Sequence, residues 1–295
     1  MQQHNVSAGV ARLSGVNDSR RTDPSTQNLA IDRPTPARMY DYFLGGKDHY
    51  DIDRDAAEQV KAALPNTRDI VWENRYFLQR AVRYLAEAGI DQFIDLGTGL
   101  PTKGNVHEIA QAITPQARVV YVDNDPIVLS HGRALLATNP NTTVITADIR
   151  EPDSILGHPD LQALIDFTRP CAILFVAIMH FIPDEADPYR AIAAFRDVLA
   201  PGSYLTLSHL TSDIVPADQV QRVVDVYKAA TSPIVFRSGP QIERMFDGFH
   251  LAAPGLVHPW QWQPWLKSQY ENEEMRTDWL WAAVGRNTPL PDTPA

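Results

Sequence analysis

The sequence predicts an α/β domain: a mostly parallel, twisted sheet with helices on both faces, preceded by a helical extension. Three observations lead there. After Gly89, short apolar runs of strand length alternate with longer stretches of helical periodicity. The strand-length runs are almost continuously Val, Ile, Leu and Phe, as expected of strands buried on both faces. The first of them ends in an acid followed by two closely spaced glycines, a turn that carries a chain sharply from a strand towards a helix.

The elements follow in order. Residues 1–32 are rich in Gln, Asn, Ser, Arg and Asp and read as a disordered tail. Residues 33–89 read as a helical extension, with a helix over 67–88 that presents Ile70, Phe77, Leu78, Ala81, Val82 and Leu85 on one face and stops at Gly89. The main domain, 90–286, has strands expected at 93–96, 119–122, 143–146, 172–177 and 204–207. Helices are expected between them at 106–113, 127–138, 153–167 and 189–199. Val220, Val223, Val224 and Tyr227 mark another amphipathic helix and 241–246 a short one, before closing strands at 256–258 and 279–284. Residues 287–295 read as a flexible C-terminal tail.

Composition narrows the function. The formal net charge is −10 (26 Lys and Arg against 36 Asp and Glu), which disfavours a nucleic-acid or anionic-membrane partner, since both need a basic face. No apolar run approaches the ~18 residues of a membrane span, and the N-terminal residues lack an apolar leader, so a cytoplasmic protein is expected. The single cysteine, Cys171, rules out an internal disulfide and a cysteine-based zinc site. The nine histidines show no pair at helical ligand spacing, so no metal is expected.

The chemistry gathers at the expected strand ends. Asp95-Leu-Gly97-Thr98-Gly99 closes the first strand: the glycines let a ligand approach backbone, and Asp95 offers a carboxylate to an ammonium group or to the loop. The second strand ends in Asp123-Asn124-Asp125-Pro126, where Asp123 stands where a ribose diol is gripped in nucleotide-binding α/β folds. The third ends in Asp148-Ile149, an acceptor for an adenine amine beside an apolar side chain, and the fourth runs into Ala177-Ile178.

Together with the helix–Pro201-Gly202–strand step, these segments resemble the motifs of class I S-adenosylmethionine-dependent methyltransferases, over roughly residues 93–207. The segment 33–50 with 95–102 is similar, more narrowly, to an actinobacterial S-adenosyl methyltransferase-like family long described as a domain of unknown function. The resemblance implies a Rossmann-like methyltransferase fold and S-adenosyl-L-methionine as cofactor. It implies Asp95, Gly97 and Gly99 along the methionine part and Asp123 on the ribose hydroxyls, with Thr98 and Asn124 also among the cofactor-binding residues. Asp148 and Ile149 would lie at the adenine, and Ala177 and Ile178 near the sulfonium. Leu100-Pro101 after the turn departs from many relatives. The expected acceptor is a small molecule. Two alternatives stay open: a noncatalytic module that binds the cofactor or its demethylated product, and an NAD-dependent oxidoreductase, whose fingerprint requires a third glycine or alanine that this chain lacks.

Three further features carry expectations. Tyr40, Tyr42, Gly45, Gly46, Lys47, His49 and Tyr50 read as a lid over the cofactor, against the alternative of a helical cap with ordinary core aromatics. His180 and His209, near the ends of the fourth and fifth strands, are candidate general bases, against structural roles for both. The aromatic cluster at 258–265 is expected either to wall the acceptor site or to bury against the sheet.

Overall fold

The computed structural model describes residues 31–137, 139–267, 271 and 275–288. The expectations of tails at 1–32 and 287–295 therefore fall almost wholly outside the described residues. Seven strands, β1 (Gln92–Leu96), β2 (Arg118–Asp123), β3 (Thr142–Thr146), β4 (Ala172–Val176), β5 (Tyr204–Leu210), β6 (His250–Leu251) and β7 (Leu280–Arg286), form one sheet. The order is β3-β2-β1-β4-β5-β7-β6. The first five strands are parallel, while β7 runs antiparallel to both β5 and β6.

Alternation within each strand sorts side chains to two cores. On one face Ile94, Val120, Ile173 and Phe175 pack with helices α6 (Pro152–Leu156), α7 (Pro159–Leu164) and α8 (Pro188–Arg196). On the other, Phe93, Val119 and Leu174 pack with α3 (Thr67–Glu87) and α4 (Val106–Ile113). The remaining crossover helix, α5 (Pro126–Leu135), lies against β3, with Gly132 seated on Val144.

The helical extension precedes the sheet. Thr35 caps α1 (Pro36–Phe43), and Asp53 caps α2 (Asp51–Ala63) by accepting the Tyr50 N–H at 2.9 Å. The two helices are joined by a fully buried ion pair, Arg38 Nε to Asp53 Oδ2 at 2.8 Å. With α9 (Ala217–Tyr227) they form a third core.

Long α3 is covered on its outer side by the C-terminal chain. Glu73 accepts the N–H groups of Trp260 (2.6 Å) and Thr277 (2.8 Å), and Arg80 donates to the carbonyls of Trp262 (3.1 Å) and Pro259 (2.7 Å). Trp262 is wholly buried, its ring edge-on to Phe77 and Tyr84. Of the two readings of the 258–265 cluster, burial describes Trp262, and none of the cluster lines the cleft described below.

Some boundaries differ from expectation. The helix expected at 153–167 is two, α6 and α7, because Gly157 ends the first and Pro159 opens the second. The closing strand expected at 256–258 is reduced to a single bridge, Val257 to Ala282; His250–Leu251 forms the edge strand instead. The short helix α10 (Gly239–Glu243) starts earlier than expected because Ser238 and Gln241 make a capping box. No helix among the described residues is long and apolar enough to cross a membrane.

Candidate functional site

Chain order reverses between β1 and β4: successive strands run outward from β1 through β2 to β3, then from β4 to β5 on the other side. A crevice must open at the carboxyl ends of the strands flanking that point. It does, as a cleft with about 1410 Å³ of empty space counted to its open mouth. Asp95, Gly97, Thr98, Gly99, Asp123 and Asn124 all line it, as do Asp148, Ile149, Ala177 and Ile178. The structure thus brings ten residues from four separate strand ends to one cavity.

The turn after β1 is shaped by its contacts. Gly97 sits at φ +75°, and a Cβ there would fall 2.3 Å from Ile178 Cγ1. Its N–H donates to the Val122 carbonyl at 2.8 Å, while the Thr98 hydroxyl donates to the Asp95 carbonyl at 3.0 Å. Gly97→Ala is therefore expected to cost about 2–4 kcal/mol, from left-handed strain plus overpacking. Urea unfolding checks this, and adding Ile178→Ala should recover only the packing share.

Asp123 ties this turn to β2. Its Oδ2 accepts the Gly99 N–H and its Oδ1 the Asp125 N–H, both at 2.9 Å. Burial outweighs those hydrogen bonds and pushes its carboxyl up to about 6. Asp95 is different: no protein donor reaches its carboxylate among the described residues, although only 6% of the residue is exposed. Burial pushes Asp95 up to about 7, with the Arg75 charge opposing and the Asp123 charge adding to the rise. Asp148 is already engaged, by the Arg150 guanidinium (Nε to Oδ1, 2.9 Å) and more loosely by Asn124 Nδ2 at 3.4 Å. Those bonds hold its carboxyl below the usual range against the opposing effect of burial.

The tip of β4 is strained and braced. Ala177 adopts φ +56°, rare for a residue with a Cβ. Its N–H donates to Ser208 Oγ at 2.9 Å, and that hydroxyl in turn donates to Asn74 Oδ1 at 2.5 Å. Asn74 Nδ2 donates to the Tyr40 hydroxyl at 2.9 Å, which donates onward to the Val71 carbonyl at 3.1 Å. Every donor in this chain has an acceptor, so α1, α3 and β5 jointly fix the conformation at Ala177.

Of the lid residues, only Tyr40 lines the cleft, together with Thr35, Ala37 and Asp41, which sequence reasoning passed over. Gly45, Gly46, Lys47, His49 and Tyr50 form a loop behind it, and Gly45, Lys47 and Tyr50 are exposed. The loop wraps the buried Asp41 carboxylate, whose Oδ2 meets the Asp48 N–H and His49 Nδ1 at 2.9 Å each. Gly46 permits the wrap, since a Cβ there would lie 1.8 Å from Asp41 Oδ1. Tyr42 turns outward to hydrogen-bond Glu58 and meets His49 edge-on. The roof is stitched across the molecule: Arg33 donates to the carbonyls of Ala229 and Ala230, and the Thr231 N–H to the Pro34 carbonyl at 3.0 Å.

Neither histidine faces the cleft, which corrects the general-base expectation for both. His209 Nδ1 must carry its proton to reach the Leu210 carbonyl at 2.7 Å, so Nε2 accepts from Arg237 Nη1 at 2.8 Å. Burial pushes this imidazole down to about 3. His180 is buried against Phe181 and His209, and burial lowers it well below the usual range. Both are neutral packing groups around Arg237, a buried side chain that sequence reasoning missed. Its guanidinium also donates to the carbonyls of Met179 (3.0 Å) and Ile182 (2.8 Å) and to Asp184 Oδ1 (2.5 Å from Nη2), hanging the wall that follows β4. Among the described residues no group of three or more His, Cys, Asp or Glu side chains is placed to hold a metal.

Comparison with known proteins agrees with this geometry. The model of a family described as S-adenosyl methyltransferase matches residues 22–288. A crystal structure of a putative methyltransferase from Thermobifida fusca is 44% identical, covers 89% of this chain and 98% of its own, and superposes with a TM-score of 0.81. A DUF574 family protein from Streptomyces avermitilis is 39% identical, covers 88% and 100% of the two chains, and gives 0.82. A ribosomal RNA small subunit methyltransferase H from Halorhodospira halophila is 35% identical over 63 residues only, 21% of this chain and 19% of that protein. With a family match over nine-tenths of its length and a cleft at the switch point of the sheet, the chain belongs to the S-adenosyl methyltransferase family, within the class I superfamily.

Proposed function

We propose that the chain binds S-adenosyl-L-methionine in this cleft and directs its methyl group to a small-molecule acceptor. The observation that carries the reading is the Asp95 carboxylate: largely enclosed, without a donor among the described residues, and opening on the same cavity as Asp123. A carboxylate kept in that state is destabilised until a cation arrives, and an α-ammonium is such a cation. Asp123 retains lone pairs for two ribose hydroxyls beyond the two backbone bonds it accepts, and Ile149 offers an apolar surface beside Asp148 for a base.

When bound, the cofactor supplies a methyl group already activated by its sulfonium, so the chain contributes alignment and exclusion of water. The braced Ala177 backbone and the stitched roof serve both ends. On the β4–β5 side the lining is Phe181, Ile182, Pro183, Thr231, Ser232 and Pro233, without a charged side chain. That wall suits an uncharged acceptor with an apolar face.

A dinucleotide fits less well. Its pyrophosphate needs the free N-terminus of a helix that opens directly from the glycine turn. Here α4 begins at Val106, and its N-terminus is closed by Glu108, which accepts the N–H groups of Gly104 (2.8 Å) and Asn105 (2.9 Å). A carboxylate at that position repels phosphate.

Calorimetric titration with S-adenosylmethionine, S-adenosylhomocysteine and NAD tests the reading. The first two are expected to bind and NAD not. Asp123→Ala should weaken both adenosyl ligands by about 1–3 kcal/mol, roughly 5- to 150-fold. Binding of NAD alone would replace the reading with the oxidoreductase. Tight adenosyl binding without methylated product from any uncharged acceptor screened would replace it with a noncatalytic module.

A further inference from the structure

We infer that the acceptor attacks through a neutral nitrogen that carries no hydrogen, as in a pyridine-type ring or a tertiary amine, and leaves the cleft as a quaternary cation held against Tyr40 and Phe181. The inference rests on the methyl-donor reading and names the acceptor class that the same cleft serves. Two aromatic rings border the tip of β4. Phe181 lines the cleft four residues beyond the strained Ala177, in the short turn Met179–Phe181, and Tyr40 lines it from α1. Both are held in place. The Tyr40 hydroxyl is pinned by Asn74 Nδ2 at 2.9 Å and the Val71 carbonyl at 3.1 Å, on the hydrogen-bond chain that ends at the Ala177 N–H. The Phe181 ring lies 4.4 Å from that of His180 and 5.6 Å from that of Tyr227, centroid to centroid. Rings fixed in this way attract a cation over their faces at little cost of ordering.

The proton balance points the same way. A hydroxyl or N–H acceptor loses a proton as it is methylated, and a positioned group must take it. Among the described residues, the ionisable side chains lining the cleft are Tyr40, five aspartates and two arginines. Tyr40 donates its phenolic hydrogen to Val71, and burial raises the phenol above its ordinary value, so it keeps its proton. Asp95, Asp123, Asp125 and Asp148 stand at the ends of β1, β2 and β3. Asp41 lies towards the same side: one turn before it Ala37 packs with Leu100, Ile127 and Val128, and the loop it holds meets His131 of α5 through Asp48 at 3.6 Å. The β4–β5 wall, 181–183 with 231–233, carries none of these groups. A nitrogen without hydrogen needs none. Its lone pair forms the N–CH3 bond as the C–S bond breaks, the C–S electron pair stays on sulfur, and the positive charge passes from sulfonium to nitrogen. No proton is released. The cleft thus holds one ligand cation before and after transfer, which suits a lining of five aspartates and two arginines.

The test uses isoquinoline and its methylated product, N-methylisoquinolinium. Each is titrated calorimetrically into protein saturated with S-adenosylhomocysteine, or with sinefungin, whose amine stands in for the methylsulfonium as a stable cation. On the S-adenosylhomocysteine complex the cation is expected to bind about 5- to 30-fold more tightly than isoquinoline, in line with one or two cation–ring contacts. On the sinefungin complex the order should reverse, because a positive charge already stands at the place of transfer. Tyr40→Leu and Phe181→Leu should each cut the cation preference severalfold and leave isoquinoline within about twofold. Tyr40→Phe, which keeps the ring, should retain the preference, and thermal melting establishes that each variant is folded. With S-adenosylmethionine, mass spectrometry should detect N-methylisoquinolinium and no methyl ether of 2-naphthol, a bicycle of similar size whose oxygen must lose a proton.

A preference for isoquinoline on both complexes, binding of neither probe, or methylation of 2-naphthol in place of isoquinoline would overturn the acceptor class while leaving the donor site standing. Full cation preference in both leucine variants would overturn it too, since the rings would then not face the charge. Failure of native protein to bind S-adenosylhomocysteine, before any probe is added, would remove the donor reading itself.

Discussion

Asp95→Asn is expected to stabilise the ligand-free protein and weaken its ligand in a single substitution. Burial raises the Asp95 carboxyl to about 7, above the ordinary value of 3.8. For an acid raised on folding, the native state holds more protons than the unfolded chain between those two values. Stability therefore falls as pH rises from about 4 to 7, and the penalty is complete above 7. Asparagine has no charge to desolvate. At pH 8 the variant should gain a few kcal/mol, visible as a rise of several degrees in melting temperature, and at pH 4 the gain should nearly vanish.

Binding should move the other way. Losing a buried counter-charge costs about 2–3 kcal/mol, so S-adenosylhomocysteine is expected to bind roughly 30- to 150-fold more weakly at neutral pH. The pH profile separates this from general damage. With a pKa of about 7, the ionised share of Asp95 climbs from roughly 0.1 at pH 6 to 0.75 at pH 7.5, so native affinity should improve about eightfold across that interval. In Asp95→Asn the profile should flatten, leaving only the lower-lying contribution of Asp123 near pH 6. A variant that binds as tightly as native protein, or keeps the full slope, would exclude Asp95 from the site.

Arg237→Met is expected to be the most destabilising change near the cleft. It leaves the Met179 and Ile182 carbonyls, His209 Nε2 and Asp184 without their donor, and all but Asp184 lie in buried surroundings. The cost should be about 3–5 kcal/mol in urea unfolding. Arg237→Lys should recover little, because one ammonium cannot span four acceptors that a planar fork reaches. Any variant that folds should keep S-adenosylhomocysteine affinity within about threefold, since the adenosyl site proposed above is built on the ends of β1–β3. Acceptor turnover should fall, because the Phe181–Pro183 wall hangs on this guanidinium.

What could be read in advance divides along physical lines. That Asp95, Gly97, Gly99 and Asp123 share one cleft was legible because a strand ending in such residues has one edge of the sheet to serve, and right-handed crossovers bring all such edges together. His180 and His209 were not. Position at a strand end does not say on which side a ring falls, and these two turn inward to Arg237. Asn74 and Arg75 were hidden inside α3, where helical periodicity marks a buried face but cannot distinguish packing from a polar group aimed at a cavity. The lid stretch was recognised as unusual, yet its glycines turned out to wrap Asp41, while the residues reaching the cleft came from α1 just before them.

The position of β7 has a consequence for how the protein is made. Among the described residues it is the last strand in sequence, yet it lies inside the sheet, between β5 and β6. During synthesis β5 emerges more than sixty residues before its antiparallel partner, and until then presents a bare backbone edge that is buried along its whole length in the finished molecule. Such an edge is a template for pairing with another nascent chain. A ribosome-bound chain ending before Leu280 should therefore be aggregation-prone and sensitive to protease, and only release of the final strand should close the sheet.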